Sequence, residues 1–131
     1  MKIENKHKNE DEIKNCEIEI NEKLIPFNYF YQFKSKGKYI IKYSFKNNLK
    51  STFFLFRECK SLTKIDLSNL NTNNTICMAK MFYNCSSLID INLSNFNTNN
   101  VTNMRGMFSG CSSLNKNNII TKDKRILNSI K

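Results

Sequence analysis

Between Thr63 and Leu114 the spacing of apolar residues alternates between two periods. In KIDLSNL, Ile65 and Leu67 alternate with Lys64, Asp66 and Ser68; in DINLSNF, Ile91 and Leu93 alternate with Asp90, Asn92 and Ser94. This alternation predicts a strand with one buried face. The spacing then lengthens. Met78, Met81, Phe82 and Cys85 fall at i, i+3, i+4 and i+7, and Val101, Met104, Met107, Phe108 and Cys111 keep the stripe, which predicts a helix with one apolar face. Asn74 and Asn100 stand where a side chain can cap a helix start. Asn84 and Gly110 stand where a left-handed residue ends one. Asn-Thr-Asn-Asn between strand and stripe supplies turn chemistry.

The pattern repeats. Residues 63–88 written over 89–114 agree at 15 of 26 positions. Cys59, Cys85 and Cys111 share the 26-residue spacing, as do Phe56, Phe82 and Phe108. A fixed period of this length predicts stacked supersecondary units. Stacking would build ladders through the core: Ile41, Leu67, Leu93 and Ile119; Leu55, Met81 and Met107; and the three phenylalanines. Residues 39–62 fit the same register as a worn first copy, and NKNNIITKDKRIL begins a last one that breaks off into charge. The fold class expected is α/β: a short solenoid, one parallel strand plus one helix per 26-residue repeat, with a β-rich N-terminal cap.

The spacing Leu62-x-x-Ile65-x-Leu67, repeated at Leu88, Ile91 and Leu93, resembles a leucine-rich repeat. The longer stretch LSNFNTNNVTNMRGMFSGCSSL resembles the 26-residue repeat of the BspA-like leucine-rich-repeat proteins. The resemblance is close over residues 63–114 and traceable over about 39–127. Leu70 and Phe96 occupy the place of the usual buried Asn ladder, as in the BspA-like class. The resemblance implies a repeat protein of a family often secreted or displayed at the cell surface.

The flanks complete the division expected of the chain. Residues 1–15 are polar and charged and are expected to be a disordered leader. Residues 16–38 form an N-terminal cap: CEIEI and KLIPF alternate around NEK, a hairpin signal, and the aromatic run NYFYQF is expected as a short helical turn. Residues 39–114 are the repeats (39–62, 63–88 and 89–114), with KYIIKYSF as their first strand. Residues 115–131 close the stack.

Net charge is +10. It lies in the flanks: −3 over residues 1–22, +8 over 23–62, +1 over 63–114 and +4 over 115–131. A basic excess suits polyanions or anionic membrane. The 22 Asn and the wealth of Lys and Ile also fit the codon bias of an AT-rich genome. Five cysteines, an odd number, with no secretory signal or membrane span visible, predict free thiols and a cytoplasmic chain. Cys59, Cys85 and Cys111 are read as a buried ladder rather than a metal site, since no C-x2-C pair exists and His7 is the only histidine.

No nucleophile stands with a base, and no phosphate loop is present, so neither catalysis nor a cofactor is expected. Two binding readings stay open. In the first, the outward strand face takes a protein or peptide, through Lys64, Asp66, Ser68, Asp90, Asn92 and Ser94. In the second, the basic cap takes nucleic acid or anionic membrane, through Lys34, Lys36, Lys38, Lys42, Lys46 and Lys50 beside Tyr31, Phe33, Tyr39, Tyr43 and Phe45. A short copy of a longer surface protein is a further expectation, as is self-association through an open end of the stack.

Overall fold

The computed structural model describes residues 10–28 and 31–130. The first nine residues of the expected leader and the centre of the NYFYQF turn lie outside the described residues. Helix α1 spans Glu10–Ile13, and Ile13 is fully buried. An N-terminal sheet follows, made of β1 (Glu17–Ile20), β2 (Lys23–Ile25) and β3 (Ile41–Ser44) in the order β2-β1-β3. All its pairings are antiparallel. Asn21 and Glu22 make the β1–β2 turn, both with positive φ (48° and 68°), as a tight hairpin turn matching strand twist requires.

The second sheet is parallel: β4 (Lys64–Asp66), β5 (Asp90–Asn92) and β6 (Ile119–Ile120), in that order. Helix α2, Lys124–Asn128, closes the chain.

This architecture corrects the expected fold. The protein has two small three-stranded sheets joined by turns, and among the described residues no unit of strand plus helix repeats. The leucine-rich-repeat solenoid is therefore withdrawn. The apolar stripe from Met78 to Cys85 is folded as consecutive turns, and so is its equivalent from Met104 to Cys111. The backbone gives the reason. Phe54, Lys80 and Gly106 all have positive φ (60°, 53° and 63°), and so do Glu58, Asn84 and Gly110 (57°, 59° and 80°). Two left-handed residues four apart interrupt any right-handed helix. The freed N–H groups then donate sideways into the neighbouring copy: Phe56 to the Met81 carbonyl (2.9 Å), Phe82 to Met107 (2.9 Å), Glu58 to Tyr83 (2.7 Å) and Asn84 to Ser109 (2.8 Å). Buried backbone donors are thus satisfied without a helix.

The 26-residue period survives as side-by-side packing of like on like. Phe56, Phe82 and Phe108 stack with centroids 5.5 Å apart at both steps and ring planes 9° and 2° apart. Leu55, Met81 and Met107 are fully buried. Tyr43 packs edge-on against Phe56, 5.7 Å away, and joins the N-terminal sheet to this core.

The ends of the expected strand ladder are corrected too. Ile41 pairs with Ile20 of β1, not with Leu67. Ile119 pairs with Ile91 rather than Leu93, and Ile120 with Asn92. The period slips by two residues at a 3-10 turn, Lys116–Asn118, capped by Asn115. Asp123 then takes the place of a further copy. It accepts from the Thr98 N–H (3.2 Å) and hydroxyl (2.5 Å), while Arg125 donates to the Thr98 and Val101 carbonyls (2.7 and 2.9 Å).

Candidate binding faces

The parallel register places Lys64 beside Asp90 and Asp66 beside Asn92. Lys64 Nζ lies 2.8 Å from Asp90 Oδ2, with the two side chains 73% and 41% exposed. An ion pair this open adds little stability. The Ser68 N–H donates to Asp66 Oδ1 (2.9 Å) and the Ser94 N–H to Asn92 Oδ1 (3.1 Å), which turns the chain sharply after each strand. Asn95 Nδ2 donates to the Ser68 carbonyl (2.7 Å). Hydrogen bonds from Ser68, and a weaker one from Asn92, hold the Asp66 carboxyl below its usual value. All six residues read from the sequence therefore come together, and much of their polarity is turned on one another.

Ile120 was missed. It lies beside Asn92 and is 60% exposed, an apolar side chain at the end of a polar row. The signal for it was the break in period at NKNN, which moves Ile120 one row along the sheet.

The basic cap reads differently. Lys46 Nζ lies 2.6 Å from Glu17, and Lys42 lies 3.7 Å from Glu19 across the β1–β3 pair. Phe33 packs on Tyr39 (4.1 Å) and Tyr31 on Phe33 (4.9 Å). Phe33, Tyr39, Tyr43 and Phe45 lie against the buried cluster of Cys16, Ile18 and Ile20. These rings are core for the N-terminal sheet, beside a shallow cleft between Ile20, Ile25, Tyr31 and Phe33. Lys34, Lys36 and Lys38 are exposed.

The cysteine ladder is buried at all three steps, and all five thiols are free. Cys85 Sγ donates to the Phe56 carbonyl (2.9 Å) and Cys111 Sγ to the Phe82 carbonyl (3.0 Å). Cys59 is pulled below its usual value, first by a hydrogen bond from Cys85. At Cys85 a hydrogen bond from Cys111 lowers the value, but the bond to Cys59 and burial outweigh it and push the thiol up to about 12. Cys111 is raised further, first by its bond to Cys85 and then by burial. Among the described residues no three His, Cys, Asp or Glu side chains gather as metal ligands. No helix among them is long and apolar enough to cross a membrane.

The family model described as "Mycoplasma protein of unknown function, DUF285" matches residues 27–125. That range takes in β3 to β6 and leaves out the β1–β2 hairpin. The match is to this family and not to a leucine-rich-repeat family, which corrects that assignment; it does not bear on the resemblance to BspA-like repeats. No curated protein and no solved structure matches the chain.

Proposed function

The chain belongs to the DUF285 family, and from that premise we propose that it is a non-enzymatic protein-binding module that works through the exposed face of β4–β5–β6. One observation carries the reading: Lys64, Asp66, Asp90 and Asn92 share an exposed face, with Ile120 open beside Asn92. An open row of polar and charged side chains ending in an exposed apolar one suits a protein partner better than a small molecule. The strands beneath are fixed by Ile91 and Leu93, both buried, so the surface is rigid before binding. We place the module in a reducing compartment such as the cytoplasm, a reading supported by the free thiols.

The test is a pull-down from native extract with wild type and with Asp66→Lys/Asp90→Lys. A photo-crosslinker at Asn92 locates the contact. The expected result is a defined protein crosslinked at Asn92 and lost from the double variant. Recovery of the same proteins by both forms, with no crosslink at Asn92, removes this face as the site.

A further inference from the structure

A second surface lies in the turn segments, outside the strand face. Phe54 and Lys80 hold left-handed backbone at positions where the third copy has Gly106. A bulky residue at such a φ is an outlier, and an outlier of this kind invites a functional reading of its side chain. Here the two side chains meet. Lys80 Nζ stands 5.5 Å from the centroid of the Phe54 ring and 5.4 Å from that of Tyr83, and Arg57 Cζ stands 4.6 Å over Phe54. Gly106 lies beside the Lys80 stem: a Cβ there would stand in ordinary contact with Lys80 Cγ at 3.5 Å, so it is the φ of +63° that favours glycine. Arg105, exposed, is the next residue along and accepts the Lys80 N–H on its carbonyl (3.0 Å). Among the described residues Lys80 has no carboxylate at salt-bridge distance, while Arg57 shares Glu58 at 3.2 Å.

We propose that this cluster docks the protein on an anionic phospholipid bilayer. Half-buried rings with cations held beside them match the headgroup layer, where ammonium and guanidinium groups meet lipid phosphates and amphipathic rings sit at the same depth. Phe54 is covered by Arg57 and by the Phe53 ring, whose centroid lies 4.0 Å away, so it is not an open platform for a nucleic-acid base. The proposal uses none of the strand-face residues and stands or falls apart from that reading.

The experiment is co-sedimentation of the full chain with phosphatidylcholine vesicles, with and without phosphatidylserine, at low and high salt. Binding is expected only with phosphatidylserine, weakening with salt. Lys80→Ala should lower partitioning about fivefold, the scale for one cation at an anionic surface. Phe54→Gly should also lower it while keeping the fold, because Gly106 already occupies that conformation. Glu58→Gln should raise it. Equal binding to both vesicle types, or no change with Lys80→Ala and Phe54→Gly, overturns the proposal. So does loss of binding on replacing Lys34, Lys36 and Lys38 instead, or displacement of the vesicles by a single-stranded oligonucleotide.

Discussion

The N-terminal sheet and the repeated half solve the same burial problem with different means. The N-terminal sheet is antiparallel and buries only Cys16, Ile18 and Ile20 fully, with half-buried aromatics laid over them. The repeated half lays equivalent residues side by side, so that the rings of Phe56, Phe82 and Phe108 stack on one another and Cys59, Cys85 and Cys111 are buried at the same place in each copy. Repetition thus makes a dense core out of units that could not form one alone. The N-terminal sheet depends on that core through Tyr43, which touches Phe56.

The largest test of this contrast sets Phe82→Ala beside Ile18→Ala. Phe82 is the middle ring of the stack and fully buried, and its loss should cost about 4 kcal/mol. Ile18→Ala, in the smaller cluster, should cost about 2–3 kcal/mol. Chemical denaturation measures both. A single transition in each variant supports one cooperative unit joined at Tyr43; two transitions would separate the regions. Gly110→Ala comes next. Gly110 has φ +80°, and a Cβ there would stand 2.1 Å from Asn84 Oδ1 and 3.0 Å from Asn84 Cα. A loss of about 2 kcal/mol is expected from clash and backbone strain together. No change in melting temperature would mean that the copies are not held as closely as described.

Thiol chemistry sharpens the comparison further. Cys77 is the one cysteine of the five that is not buried. Under native conditions a thiol reagent should label Cys77 within minutes and leave Cys59, Cys85 and Cys111 until unfolding. Mass spectrometry of the labelled peptides decides it. The smallest effect belongs to Asp66. Its folded value lies below the ordinary 3.8, so its stabilisation is present above about pH 4 and is lost as pH falls through the lowered value. The group is open to solvent, so the loss should be about a few tenths of a kcal/mol. Melting curves of wild type and Asp66→Asn across that range measure it.

The two regions also differ in how far the sequence revealed them. The hairpin was legible because alternation around Asn21 and Glu22 is a local signal with a single geometric answer. The phenylalanine and cysteine ladders were legible because identical spacing forces identical environments. The turns were not, since the stripe from Met78 to Cys85 keeps helical spacing even though its backbone bonds run to a neighbouring copy. Lys80 and Asn84 decide between these, and their left-handed backbone leaves no compositional mark at Lys80. Only Gly106 and Gly110, two of the three glycines in the chain, betray it, one copy later. On the candidate face, Lys64, Asp66, Asp90 and Asn92 followed from strand alternation. For Ile120 alternation gave the outward face but not the row, because the two-residue slip at the 3-10 turn sets it beside Asn92. The cluster of Phe54, Arg57, Lys80 and Tyr83 was hidden by the same error that drew a helix through it.

The sideways backbone bonds also set an order of events during synthesis. The N–H groups of Thr52, Phe56 and Glu58 donate to the carbonyls of Cys77, Met81 and Tyr83, each about 25 residues later in the chain. A ribosome adding roughly 5–20 residues per second leaves those donors waiting for seconds. The first copy therefore emerges with its amides open to water or to any chaperone at the tunnel exit, and it closes only when the second copy arrives. The second waits in turn for the third, and the third for Asp123 and Arg125. The copies thus close in chain order, each one step behind synthesis, and a protein released short of Asp123 would leave the final copy unclosed.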